Sequence, residues 1–188
     1  MKVNLVHICQ NYNTNLYYEL FDKIGDNVNI SQSVFYPHFV KTKLNKSSKF
    51  KLLLSNIVPN YLRHFFLIRG LLNYFKLRNM LNLSSIDIVH CHTMFNDGII
   101  GFFATIFSKR KLVISVRNSD FLIKKHKFWL IPFIYLLKLK AHQFIFISES
   151  LKNNFKNLNG LVIGNGIDDL FFSKCLKKKK IKKNNLRL

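Results

Sequence analysis

Along most of the chain, short apolar runs rich in β-branched residues alternate with longer stretches in which apolar side chains return every three or four positions. The first pattern marks buried strands and the second marks helices packed by one face. Lys2 to Cys9 (KVNLVHIC) reads as a strand bounded by the turn-prone QNYNTN. A helix follows over about Asn15 to Ile24, with Leu16, Leu20 and Ile24 four apart and Gly25 as its stop. Val28 to Tyr36 reads as a second strand ended by Pro37, and Lys41 to Lys51 (KTKLNKSSKFK) as an exposed basic loop.

Leu52 to Leu83 forms a long mixed segment divided by Pro59. In its second half Leu62, Phe65, Phe66, Arg69, Leu72, Tyr74 and Phe75 recur at near-helical spacing, with Arg63, Lys76 and Arg78 between them. Such an aromatic stripe is expected in the core, and the alternative is a basic amphipathic helix lying on an anionic membrane face. Beyond it, Asp87 to His92 (DIVHCH), Leu112 to Val116 (LVISV), Phe144 to Ile147 (FIFI) and Leu161 to Ile163 read as strands. Helices are predicted over Asp97 to Phe107, packed closely through Gly98 and Gly101, over Phe128 to Ala141, and from Ser148, whose hydroxyl can cap the first turn.

This alternation specifies βαβ units, hence an α/β, Rossmann-like parallel sheet with helices on both faces. Ligands of such sheets bind outside the carboxyl ends of the strands. Polar residues stand there after each predicted strand: Gln10 and Asn11, His92 and Thr93, Arg117 to Asp120, Ser148 and Glu149, and Asn165 to Asp168.

Composition adds a charge. Thirty Lys and Arg face nine Asp and Glu, a net charge of +21, which favours anionic partners such as lipid headgroups or phosphorylated substrates, or reflects a Lys- and Asn-rich compositional bias. With 188 residues and 48% hydrophobic content, one domain with its own core is expected. Cys9, Cys91 and Cys175 are odd in number and far apart, which suits a reducing cytoplasm. The N-terminus lacks a continuous signal-like apolar region, and the longest uncharged run, Phe128 to Leu137, is about half of what crosses a bilayer. A cytoplasmic location is expected, peripheral to the inner face of the membrane at most. The run KKKKIKK at 177–183 reads as a solvated, disordered tail.

Three motifs could carry chemistry. HCH places His90 and His92 on one side of a strand, but no third ligand lies at convincing spacing, so no metal is assigned. RNSD at 117–120 combines a permanent cation with an amide, a hydroxyl and a carboxylate; Arg117 can clamp a phosphate or carboxylate, or pair with Asp120 to shape the loop. NGID at 165–168 is a positive-φ turn signal. Neither GxGxxG nor GxxxxGK[ST] occurs, which disfavours ordinary dinucleotide and ATP binding. A nucleic-acid role rests on charge alone, with no reading motif.

In their order, DIVHCHT, LVISVRNSD, FIFISESLK and VIGNGIDDLFF resemble the N-terminal half of a family 4 retaining glycosyltransferase of GT-B architecture, most firmly from Ile86 to Phe172. The resemblance implies a single GT-B half-domain over residues 1–172, a basic tail over 173–188, and a hinge at NGID leading toward a donor-binding domain outside the chain. It implies substrate-binding roles for His92 and Thr93 on the acceptor side, for Arg117, Asn118 and Asp120 near the transferred sugar, and for Ser148 and Glu149 behind it. Asn165, Gly166 and Asp168 would form the interdomain junction. No residue receives a catalytic role: many members carry a histidine in the loop occupied here by RNSD, so its role does not transfer, and the chain further departs from the family in lacking the Gly-rich loop common after the first strand and in having Gly164 where proline is usual. No cofactor is expected in this chain, the nucleotide-sugar donor binding mainly to the other domain. The partners implied are a separately encoded C-terminal domain, an acceptor glycan or glycolipid, and an anionic membrane surface. The competing expectation is a non-enzymatic module binding membrane or partner through the retained half-domain.

Overall fold

The structure, a computed structural model, describes residues 2–37, 44, 47–55 and 65–164. Seven strands are seen among them: β1 (Val3–Ile8), β2 (Ile30–Tyr36), β3 (Lys51–Leu54), β4 (Ile88–Cys91), β5 (Lys111–Val116), β6 (Gln143–Phe146) and β7 (Gly160–Val162). They form one parallel sheet in the order β3-β2-β1-β4-β5-β6-β7. The chain therefore builds outward from β1 in one direction and then returns to extend the sheet on the other side. The reversal falls between β1 and β4, the place where an open α/β sheet forms its ligand crevice.

The helices are α1 (Asn15–Gly25), α2 (Phe66–Met80), α3 (Asn96–Thr105), α4 (Asn118–His126), α5 (Ile131–Lys140) and α6 (Glu149–Asn154). Period-2 alternation along the strands divides the core between the two faces of the sheet. Val6, Ile8, Phe35, Val89, Cys91, Leu112, Ile114, Phe144 and Phe146 face one cluster with residues of α2, α3, α5 and α6. Val34 and Tyr36 face the other, smaller cluster, which is closed by Tyr17 and Phe21 of α1. Helices thus flank both faces unequally among the described residues.

Close approach of α3 to the sheet requires Gly101, where a Cβ would collide with Cys91 Sγ and Leu112. Gly98, predicted to act in the same way, has only ordinary contacts at its Cβ position. Gly70 of α2 does the same for the helix pair, since a Cβ there would run into Ile99. This packing explains a departure from the sequence pattern. The face of α2 that turns inward is Arg69, Gly70, Asn73 and Leu77, while Phe65, Leu67, Ile68, Leu71 and Phe75 are exposed and Phe66 and Tyr74 are half-buried. The polar members of that inward face are bonded: Asn73 Nδ2 donates to Arg69 O, its Oδ1 accepts from Ser55 Oγ, and Arg69 donates to Asn96.

Two further elements differ from expectation. Lys51 to Leu54, read as the end of a loop and the start of a mixed segment, is β3, paired with Ser33 to Tyr36. The RNSD stretch, read as a strand-to-loop junction, opens α4. Leu62, residues 41–43, 45 and 46 of the basic loop, the NGID turn with Asn165, Gly166 and Asp168, and the 173–188 tail lie outside the described residues.

Candidate functional site

The carboxyl ends of β1, β4 and β5 are tied together by two buried carboxylates. Asp97, at the start of α3, accepts the backbone amide of Gln10 on Oδ1 at 3.1 Å and the Thr93 hydroxyl on Oδ2 at 3.0 Å. Asp120, in the first turn of α4, accepts from Met94 N and Phe95 N on Oδ1, at 3.0 and 3.3 Å, and from Arg117 N on Oδ2 at 2.8 Å. Three loops that share no sequence proximity thereby hold one geometry. Burial pushes Asp97 up to about 8 and Asp120 up to about 6; Thr93 and the Gln10 amide temper the first, and the Arg117, Met94 and Phe95 amides the second.

On the α1 side of the same strands lie three imidazoles. Parallel pairing sets His7 directly beside His90, and His92 follows two residues on. One potential ligand nitrogen from each lies within 4.8 Å of the others. His7 Nδ1 and His92 Nε2 are hydrogen-bonded at 3.1 Å, and His90 Nε2 is bonded to Ser115 Oγ at 2.9 Å. Phe21 covers the group, its ring centroid 4.6 Å from His7 and 5.1 Å from His92, and Tyr17 meets His92 edge-on at 5.2 Å. Desolvation by burial lowers all three, aided by repulsion between the rings were they charged and, at His90 and His92, by Arg117: His90 falls to about 4, His7 and His92 well below the ordinary value. The rings are neutral at physiological pH.

Beside the histidines a cavity of about 430 Å³ opens along the sheet, lined by His90, His92, Ser115, Arg117, Tyr17 and Leu20 among others. Its walls are mostly apolar, with Ile145, Ile147 and Ile163 from the later strands. The Arg117 guanidinium lies 5.5 Å from the Tyr17 ring, a cation–π contact that aims a fixed charge along the cavity edge. A mostly apolar recess with a few convergent polar groups is the usual form of a small-ligand site. This one offers two cations, Arg117 and Lys23, the hydroxyls of Ser115 and Tyr17, neutral imidazoles and the Glu19 carboxylate, a set suited to a hydroxylated or anionic ligand.

The structure brings together His92 and Arg117 and adds Tyr17, His90 and Ser115, which were not singled out as site residues. Thr93 and Asp120 are buried beneath the rim, bonded to Asp97 and to backbone amides, so they shape loops instead of facing the cavity. Asn118 is exposed at the start of α4. Ser148 caps α6, accepting from Leu151 N at 3.2 Å, and Glu149 is exposed in that helix's first turn. His7 escaped notice because it stands 85 residues before His92. Only the β1–β4 register joins them; the one available hint was a histidine in the first strand.

Comparison with curated proteins found no match. Among solved structures, the chain is similar to a sucrose-phosphate synthase from Thermosynechococcus elongatus, with a TM-score of 0.60 at 8% identity over 96% of this chain and 98% of that one. It is also similar to an α,α-trehalose 6-phosphate synthase from Burkholderia multivorans, with a TM-score of 0.53 at 7% identity over 89% of this chain and 50% of that one. A protein described as a UDP-N-acetylglucosamine 2-epimerase from Listeria monocytogenes gives a TM-score of 0.51 at 13% identity, over 84% of this chain and 42% of that one. The chain thus spans about half the length of the last two or less. These likenesses establish the fold, a Rossmann-like half of the GT-B architecture. The family model described as Glycosyltransferase Family 4 matches residues 29–169, most of the chain, and the protein belongs to that family.

Proposed function

We propose that this domain receives the acceptor in a sugar transfer, with the nucleotide-sugar held by an opposing domain supplied from outside these 188 residues. The observation that carries the reading is the cavity at the carboxyl ends of the strands next to the β1–β4 reversal, where Arg117, Ser115 and His92 converge. In the reaction an acceptor hydroxyl forms a bond to the anomeric carbon and gives its proton to the departing diphosphate oxygen as the bond to the nucleoside diphosphate breaks, with retention of configuration through an oxocarbenium-like transition state. The leaving diphosphate needs cationic stabilisation in a cleft closed against water, which two facing lobes provide. The described residues offer one such lobe, and the only carboxylate lining its cavity is the exposed Glu19. Catalytic power in this reading comes from closure.

The acceptor we favour is a lipid-linked glycan at an anionic membrane surface, as in assembly of a cell-surface polysaccharide. Support comes from exposed apolar residues near a cation. Lys127 Nζ lies 4.4 Å from the Phe66 ring and 6.0 Å from the Trp129 ring, joining the start of α2 to the turn before α5. Phe65, Leu67 and Ile68 at the start of α2 and Phe128 and Trp129 next to Lys127 are exposed. No helix among the described residues is long and apolar enough to cross a membrane. The surface equally suits a binding module without transfer activity, and one experiment separates the two. Radiolabelled nucleotide-sugar and a lipid extract are incubated with the chain alone and with a separately made family 4 donor domain. Product only in the paired reaction supports the reading; product from the chain alone removes the need for an opposing domain, and none in either removes transfer. Sedimentation with liposomes, with and without anionic lipid, tests the membrane claim, which indifference to lipid charge would end.

A further inference from the structure

We propose that His7, His90 and His92 form a three-imidazole site for a divalent transition metal of the zinc type, with an open coordination position toward the adjoining cavity. The inference stands apart from sugar transfer and rests on the cluster itself. Three potential ligand nitrogens within 4.8 Å of one another are drawn from two paired strands, so the backbone under them is fixed by the ladder. Two of the nitrogens, His7 Nδ1 and His92 Nε2, are 3.1 Å apart. Ligands about 2.0–2.1 Å from a tetrahedral zinc ion sit at a closely similar separation. The third ring is oriented by its bond to Ser115, the kind of outer contact that holds metal-bound imidazoles in place.

The second observation is unmet bonding capacity. His7 Nε2 and His92 Nδ1 are sealed from solvent and meet no partner at good hydrogen-bond geometry among the described residues, although the Gln32 side chain interacts with His7. A metal on His7 Nδ1 and His92 Nε2 would make both of these outer nitrogens N–H donors, and the buried Gln32 Oε1, also unmatched, stands beside His7 as an acceptor for the first. Neutral imidazoles suit zinc, copper, nickel or cobalt, whereas magnesium and calcium demand oxygen ligands. The Arg117 guanidinium, which repels charge on His90 and His92, also opposes a cation here, so the site should bind more weakly than an uncharged three-imidazole site. Three histidines with one open position is the coordination pattern of metal sites that bind water or a hydroxyl group. His90 and His92 line the cavity, so such a ligand would enter from there.

The test is a titration of the tag-free 188-residue chain with Co²⁺, followed by visible absorption and displaced by Zn²⁺. The expected result is one ion per chain with the intense bands of a tetrahedral site, no response to Mg²⁺ or Ca²⁺, and an X-ray absorption edge fitted by three imidazole ligands. A variant carrying His38→Gln, His64→Gln, His126→Gln and His142→Gln should bind as the wild type does. His7→Gln and His92→Gln should each weaken binding by at least about tenfold, the smaller loss found even for groups standing behind a metal ligand. Absence of stoichiometric Co²⁺ or Zn²⁺ binding by the wild type, an absorption fit with fewer than two imidazoles, or loss of binding in the four-histidine variant would overturn the proposal. The wild-type measurements decide it even if the buried variants fail to fold.

Discussion

The two sides of the sheet treat buried polarity differently. On the side crowded by helices, Asp97 and Asp120 are fully buried, yet all four of their carboxylate oxygens accept a hydrogen bond, from Gln10, Thr93, Met94, Phe95 and Arg117. On the α1 side, His7 and His92 are equally buried, share one bond, and each keep a nitrogen that meets no partner at good hydrogen-bond geometry. A buried group whose bonding is complete fixes structure, whereas one left incomplete costs stability unless something else binds it. The first pair is therefore architecture, and the second keeps unused bonding capacity beside the cavity.

Removing a carboxylate should break this comparison most sharply. Asp120→Ala strands three buried amides at about 1–3 kcal/mol each, so denaturant unfolding should show a loss of roughly 3 kcal/mol or more. Gly101→Ala disturbs the same region without touching a polar group, by pushing α3 away from Cys91 and Leu112. A loss of about 1–3 kcal/mol by the same measurement is expected for such overpacking.

The pH profile should carry both signs. Asp97 and Asp120, raised to about 8 and about 6, contribute stability that is complete below the ordinary carboxylate range and lost as pH rises through those values. The histidines, all lowered, contribute in the opposite sense: their stability is complete above 6.5 and lost as pH falls toward their folded values, about 4 for His90. Stability should peak near pH 6.5 and fall by on the order of 1–2 kcal/mol by pH 8, with Asp97→Asn flattening that alkaline limb in thermal melts. The smallest effect should come from the histidine pair. Replacing His7 and His92 together by Phe removes both unmet nitrogens and keeps ring packing, so unfolding free energy should change by no more than about 1 kcal/mol in metal-free buffer.

Much of this arrangement was legible in the sequence, and the gaps have physical causes. β1, β4, β5 and β6 announced themselves because strands buried on both faces are continuous apolar runs. β3 did not, since Lys51 to Leu54 is short and merges with apolar residues on its far side. α4 was hidden because Asn-Ser-Asp is also turn chemistry; Asp120 at the third helical position, followed by Phe121, was the signal available. The inward face of α2 ran against its hydrophobic pattern because a glycine allowed α3 closer than any aromatic stripe could. Of the site, Arg117 and His92 could be placed from their positions after strands, while His7 depended on strand register, which no local pattern encodes.

The most direct test of the cavity as the working surface is sugar transfer by the domain pair carrying Arg117→Ala. That change leaves the Arg117 amide bonded to Asp120 and removes the fixed charge from the cavity edge. A roughly tenfold or greater fall in transfer by a variant that still folds is predicted, the effect of losing a hydrogen bond to a charged group. Undiminished transfer by the folded variant would contradict the account.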